Sequence, residues 1–374
     1  MKAKIIFNDI VVFLKKNIVM LIAFLSALIT VFFVPIDRQY LGYFDFKTLT
    51  CLFCTLAIVC ALKNIKLFYL LARKIVRLFK NTRLSVLALV YVTFIGSMLI
   101  ANDMALITFL PLGYIVLTTT NKQKYMAFTF IMQNIAANLG GMLTPFGNPQ
   151  NLYLYNKFGI PTLEFISIML VPFIVSILLI TVCCIIFVKS EPLEIEDEKV
   201  SLSVPRTIIY LTLFALSIVI VFRAIPYVVG LIVIPLSLLF LDRKALKQVD
   251  YPLLFTFVFF FIFAGNMARI ETVKNLFSSL LENNTFLFSI LSCQVISNVP
   301  SAVLLSGFTN NYKALLLGVN IGGVGTLISS LASLITFREY VIHNPHKSKF
   351  YILLFSLFNF AFLIILSITV LILL

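Results

Sequence analysis

Tryptophan is absent from the 374 residues, histidine occurs twice, the acids number only 15, and charged residues of both signs make up 12% of the chain. Each shortage excludes something. Soluble domains carry about a quarter charged residues, so 12% charge beside 61% hydrophobic residues and a mean hydropathy of +1.07 excludes a fold surrounded by water. The two histidines, His343 and His346, stand in a loop spelled HNPH, which lacks the HExxH spacing of a zinc protease. Walker loop, Gly-x-Ser-x-Gly elbow and clustered Cys/His set are all missing, so nothing in the sequence argues for an enzyme. Without Trp, anchoring at the membrane surface falls to Tyr, Lys and Arg.

What is present is apolar sequence in long runs. The six cysteines (Cys51, Cys54, Cys60, Cys183, Cys184, Cys293) all fall inside those runs and read as reduced packing residues. The net charge of +14 resembles a nucleic-acid signal, but the basic residues lie in short loops between apolar segments, where the positive-inside rule explains them. The basic opening before Asn17 imitates a signal peptide. No small-residue cleavage site follows its apolar run, which ends FFVPIDR, so it reads as a retained first span.

A bilayer takes about 20 apolar residues per helix. Nine spans are expected: Asn17 to Val34, Phe46 to Leu62, Lys124 to Tyr153, Leu163 to Val188, Arg206 to Phe222, Pro226 to Leu241, Tyr251 to Ala268, Tyr312 to Phe337 and Phe350 to Leu374. Two further apolar segments, 84–118 and 285–309, break in the middle at Asn102-Asp103 and Asn298-Val299-Pro300 and read as re-entrant hairpins. The first is long enough that a pair of short tilted spans stays open. With the N-terminus in the cytoplasm and the C-terminus outside, the inner loops hold 22 of the 29 Lys and Arg. Five crossings separate the hairpins, so they enter from opposite faces and the halves are inverted. The expected organisation is a first repeat over 1–189 (four spans and hairpin 84–118), an acidic cytoplasmic linker over 190–205, and a second, inverted repeat over 206–374 (five spans and hairpin 285–309). Asp45-Phe46 and Asp250-Tyr251 open equivalent spans in the two repeats.

Two of the spans are interrupted. Asn138 to Asn151 reads NLGGMLTPFGNPQN, and 182 residues later Asn320 to Ser333 reads NIGGVGTLISSLAS. Gly and Pro weaken a continuous helix, and a polar break repeated in each half of a membrane protein points to a substrate site. Unwound backbone survives in hydrocarbon only where protein or water satisfies it, so each break implies a polar cavity. Thr144-Pro145 or Asn148-Pro149 has the order of an N-cap followed by Pro at the first helical position. The half-helix that follows would aim its N–H groups at the cavity and favour an anion; the half-helix before it offers free carbonyls, which favour a cation. Gly140, Gly141, Gly322 and Gly323 allow close backbone approach, and Gly147 occupies the place that Ser329 takes in the second break. Asn102, Asn298 and Ser297 at the hairpin tips offer donors and acceptors. Asp103 is the one carboxylate well inside an apolar segment: it is a candidate proton carrier, with an N-cap for the arm beginning Met104, or a partner for a buried Asn, as the alternatives. Arg269 and Arg338 close spans near the cavities, where snorkelling and anion contact both stay open.

These breaks, each preceded by an Asn-tipped hairpin (ANDMALITFLP and SNVPSAVLL), resemble those of the ion transporter superfamily: citrate-transporter-like permeases, divalent anion–sodium symporters, arsenite permeases and related sodium–proton antiporters. The resemblance covers essentially the whole chain. It implies an all-α membrane fold with a scaffold part and a moving part, often a homodimer, and substrate carried by elevator-like motion. It further implies a first half-site of Asn102, Asn138, Thr144, Asn148 and Asn151 and a second of Ser297, Asn298, Asn320, Thr326, Ser329 and Ser330. The dicarboxylate symporters carry Ser-Asn-Thr at both tips; here the tips read Ala101-Asn102-Asp103 and Ser297-Asn298-Val299, and Asp103 leans toward proton coupling. The expected activity is therefore secondary active transport of a small anion or oxyanion across the plasma membrane, coupled to H+ or Na+, with no other cofactor and no nucleic-acid partner. A cation–proton antiporter, an arsenite efflux permease and a passive channel are the alternatives.

Overall fold

The computed structural model describes residues 17–193 and 203–373. Among these residues the regular structure is helical, with a single β-bridge between Asn81 and Pro192. The first half comprises α1 (Ile18–Val31), α2 (Phe46–Asn64), α3 (Leu67–Val76), α4 (Thr82–Ile100), α5 (Asn102–Thr119), α6 (Met126–Gly140), α7 (Pro149–Lys157) and α8 (Thr162–Phe187). The second comprises α9 (Val204–Val221), α10 (Tyr227–Leu241), α11 (Arg243–Lys247), α12 (Tyr251–Arg269), α13 (Glu271–Ile296), α14 (Asn298–Leu305), α15 (Tyr312–Ile321), α16 (Leu331–His343) and α17 (Ser348–Leu373). Seven helical segments among the described residues are long and apolar enough to cross a bilayer. The protein is an all-α, multi-pass membrane protein.

Each of the nine expected spans is a helix or a broken pair of helices. The two Asp-initiated spans start alike: Asp45 accepts the Thr48 N–H and Asp250 the Leu253 N–H, both at 3.0 Å, as N-caps of α2 and α12. Packing sorts the helices into two groups. In one, α1 lies along α12, and α2 packs on α9, α10 and α11; in the other, α4, α5 and α6 pack together, α13 on α14 and α15, α16 on α5 and α6, and α17 on α8. The side of α8 turned away from its neighbours presents Leu163, Leu178, Val182 and Ile186, a face suited to lipid.

Both interrupted apolar segments fold as helical hairpins. The second begins where the sequence placed it: Asn284 has φ −162° and ψ 89°, and its side chain accepts the Leu287 N–H at 2.9 Å, so α13 bends and a fresh helix starts there. The arms of the first hairpin, α4 and α5, have 19 and 18 residues and are each long enough to cross. Their feet meet at one place. Thr82 N–H donates to the Glu191 carbonyl at 2.8 Å, and Lys122 and Lys124 hold the Glu191 carboxylate at 2.6 and 2.7 Å. These two ammonium groups pull the Glu191 carboxyl down to about 2. The opening of the acidic linker is therefore docked on the hairpin's feet instead of being solvated throughout; its residues 194–202 lie outside the described part.

Candidate functional site

The two hairpin tips turn on residues of like conformation, Ala101 (φ 66°, ψ 150°) and Ser297 (φ 74°, ψ 158°). This region is at home only to glycine, and other residues hold it when surrounding bonds enforce it. The bonds are the same in both halves. The Asn102 N–H donates to the Gly147 carbonyl at 3.0 Å and the Asn298 N–H to the Ser329 carbonyl at 2.9 Å, each tying a tip to an unwound break. Thr144 Oγ1 donates to the Met98 carbonyl at 2.7 Å and Thr326 Oγ1 to the Gln294 carbonyl at 3.0 Å. Close approach also recurs: a Cβ on Gly140 would collide with the Phe94 carbonyl and lie 2.7 Å from Ser97 Oγ, and one on Gly322 would lie 2.9 Å from Cys293 Cβ.

Between the breaks runs a chain of buried amides. Asn102 Nδ2 donates to Asn138 Oδ1 at 3.3 Å, Asn148 Nδ2 to the Asn138 carbonyl at 3.1 Å and to Asn320 Oδ1 at 3.3 Å, and Asn320 Nδ2 to Asn151 Oδ1 at 2.6 Å. Asn151 Nδ2 in turn faces the unwound carbonyls of Gly141, Met142 and Thr144 at 3.2 to 3.4 Å. In the second break Ser329 Oγ donates to the Gly323 carbonyl at 2.9 Å, and Ser330 Oγ caps α16 by accepting the Ser333 N–H at 3.2 Å. The free backbone groups that a break must satisfy in hydrocarbon thus find partners within the protein.

The site residues named from sequence accordingly divide. Asn102, Asp103, Ser297 and Asn298 line a cavity of about 120 Å³. Asn138, Gly140, Gly141, Thr144, Gly147, Asn148, Asn151, Asn320, Gly322, Gly323, Thr326, Ser329 and Ser330 stand outside its lining; those described above hold the breaks and tips in shape. Asn148, not Thr144, is the N-cap position before α7, with Pro149 first in the helix. Asp103 is not an N-cap: it lies within the first turn of α5, and its Oδ1 has no hydrogen-bond partner. Arg269 is spent on Asp37, at 2.7 Å, whereas Arg338 lines the cavity and has no hydrogen-bond or ion-pair partner among the described residues.

Three contributors escaped the sequence reading. Gln150 and Asp250 line the cavity. Gln294 clamps the second break: its Nε2 donates to the Gly322 carbonyl at 2.9 Å and its Oε1 accepts the Thr326 N–H at 2.8 Å. Its signal was available, an amide in an apolar arm four residues before the tip asparagine.

The first residues of four helices, α5, α7, α14 and α16, all line this one cavity. Helix N-termini carry partial positive charge, and at α14 the N–H groups of Asn298 and Val299 are already donated within the protein and Pro300 has none. The cavity reaches the surface beside Arg338 and Ile18, both exposed. At the far end α7 is fastened to the other helix group: Arg223 donates to the Tyr155 carbonyl and lies 3.9 Å from that ring's centre, and Asn156 Nδ2 donates to Thr48 Oγ1 at 3.1 Å.

A membrane protein of many spans, with paired broken helices and paired hairpins whose tips meet at one cavity, is a membrane transporter. The chain belongs to the citrate transporter family, whose model matches residues 5–311. It is 36% identical to an uncharacterized transporter of Methanocaldococcus jannaschii over 79% of this chain and 81% of that one. It is also 29% identical to the inner membrane protein YbiR of Escherichia coli K12 over 82% of this chain and 83% of the relative.

Proposed function

We propose that the protein is a secondary active transporter that carries a small anion or oxyanion across the plasma membrane, coupled to protons through Asp103. The observation that carries the reading is the meeting of four helix N-termini and Arg338 on one cavity. Such ends stabilise negative charge where water is scarce. Asp103, beside the same cavity, adds a group whose charge changes with protonation, and an ionisable residue in that setting is a functional one by default. The helices α1, α2 and α9 to α12 would serve as scaffold, while the hairpins and broken helices move as an elevator. The cavity mouth adjoins Arg338, on the face that the distribution of Lys and Arg assigns to the cytoplasm, which supports access from that side. The family name adds a carboxylate such as citrate to the anions to be tried.

Counterflow in proteoliposomes tests carriage: labelled anion should accumulate against unlabelled anion, which a channel does not permit. Asp103→Asn should keep counterflow and lose accumulation driven by a pH gradient. If the variant still accumulates substrate against a gradient, Asp103 is not the coupling group; if only a sodium gradient drives the wild type, the coupling ion is Na+. A second reading, cation–proton antiport, is favoured by the presence of both Asp103 and Asp250 on the cavity. It requires Na+ or Li+ to discharge an imposed pH gradient with no anion present.

A further inference from the structure

Between Asp45 and Asp103 the chain carries no carboxylate side chain, and within that stretch seven Lys and Arg fall between Lys63 and Arg83. Four of the seven stand in α3 or at its caps. This helix has 10 residues and so spans about 15 Å, about half of a bilayer's apolar core. Lys66, with φ 58°, turns the chain so that α3 starts afresh instead of continuing α2. Three sides of the helix then differ. Leu67, Ala72 and Val76 are buried, where α3 packs on α2, α4 and α5. Leu71, Ile75 and Leu78 recur at the i, i+4, i+7 spacing of one helix face, carried into the turn after α3, and are between 44% and 74% exposed. Lys74, three residues after Leu71 and four before Leu78, flanks that stripe, and Lys66 and Lys80 stand beyond its two ends. All three lysines are exposed, and their side chains have no ion-pair or hydrogen-bond partner among the described residues, whereas Lys122 and Lys124 are spent on Glu191.

The positive-inside rule accounts for an excess of Lys and Arg in a connection. It does not call for an exposed apolar stripe beside them. A helix too short to span, with one apolar and one basic flank open, has the make-up of a helix lying in the membrane interface. A soluble acidic partner would match the charge, but the stripe stands at the foot of α4, a span that itself exposes Leu84 and Ile95. We infer that α3 is a docking surface for anionic phospholipid: Leu71, Ile75 and Leu78 dip among the acyl chains, while Lys66, Lys74 and Lys80 hold the phosphates above them. Because α3 joins α2 of one helix group to α4 of the other, bound lipid bears on the connection between the groups. This holds whichever ion the cavity carries.

The absence of Trp from the chain supplies the test. Full-length protein carrying Leu71→Trp is reconstituted in vesicles that mix phosphatidylcholine with phosphatidylglycerol, one of them brominated, so that quenching reports which lipid lies against α3. Leu178→Trp, on the lipid-facing side of α8, is the control. At Leu71→Trp phosphatidylglycerol should be preferred at least about fivefold, the factor that one lysine near the surface supplies, and at Leu178→Trp by less than about twofold. Replacing Lys66, Lys74 and Lys80 by Gln should bring the first ratio down to the second. Equal preference at the two positions, no quenching at Leu71→Trp by either lipid, or a preference that survives loss of the lysines each overturns the inference. Glycerol phosphate, the headgroup without its chains, should leave the quenching unchanged; displacement by it would assign the lysines to a soluble anion and overturn the lipid. The wild type must show the same choice by melting higher in detergent micelles holding phosphatidylglycerol than in those holding phosphatidylcholine. Equal melting overturns the inference with no variant involved.

Discussion

The bond that joins the two breaks most directly is Asn320 Nδ2 to Asn151 Oδ1, at 2.6 Å between residues no more than 1% exposed. Asn151→Ala removes this bond and the shared contacts of Asn151 Nδ2 with three unwound carbonyls. Counting the shared contacts as about one bond, the loss is two buried bonds plus a small void, about 2–4 kcal/mol. Asn320→Ala loses the same bond, its acceptance from Asn148, and a back-bond to the Leu316 carbonyl, which the helix already serves; the cost is about 1–3 kcal/mol. The double variant separates these terms. If one bond links the sites directly, the combined loss falls short of the sum by about 1 kcal/mol, between the average of roughly 0.6 and the maximum of roughly 1.7 for hydrogen bonds between membrane helices. The assay is SDS titration in mixed micelles. With Trp absent, unfolding is read by thiol labelling, since Cys51, Cys54, Cys60, Cys184 and Cys293 are buried and Cys183 is half-buried. Additivity within about 0.3 kcal/mol refutes the coupling and with it the claim that the two breaks form one unit.

Two further outcomes follow from the geometry. Ala101→Gly relieves a conformation that costs about 1–3 kcal/mol in a residue with a Cβ and concedes about 0.4–1 kcal/mol of chain entropy, so the variant should be more stable, by about 1 kcal/mol; a lower melting temperature refutes the strain. For Glu191 the folded carboxyl lies at about 2, below its ordinary 4.5, so the clamp by Lys122 and Lys124 is fully present above pH 4.5 and is lost as the pH falls toward 2. The difference in melting temperature between wild type and Glu191→Gln should hold constant from about pH 5 to 9 and shrink below about 4.5; a change between pH 6 and 8 would point to a different group.

The sequence carried the architecture because hydrocarbon leaves few options: apolar length counts spans, and a Gly, Pro and Asn cluster inside a span has to be a break. The pairing of the breaks was legible because NLGG and NIGG keep their register, and Asp45 and Asp250 were legible as the openings of equivalent spans, though not as caps. The division between residues that face the cavity and residues that hold its wall was not. Asn148 and Gln150 are both amides of one helix start, yet Asn148 Nδ2 braces the break and Gln150 lines the cavity without a hydrogen bond, a difference that spacing alone does not give. Gln294 was hidden for a related reason: its partners lie about 30 positions ahead, across a turn whose geometry the spacing does not give.

The two half-sites are built alike and spent differently. In the second, Gln294 reaches from the hairpin arm to clamp the break, and Asn298 Oδ1 accepts the Val299 N–H at 2.9 Å. In the first, the break is clamped from within by Asn151, the residue equivalent to Gln294 is Met98, and Asn102 Oδ1 has no partner. Methionine cannot hold unwound carbonyls, so the first tip is tied to its break by fewer bonds than the second. The buried side-chain polar atoms on the cavity that lack partners, at Asn102, Asp103 and Gln150, all belong to the first half. The same frame is closed in two ways: Gln294 clamps the second break with its amide, and with Met98 at the matching place the first is left to Asn151.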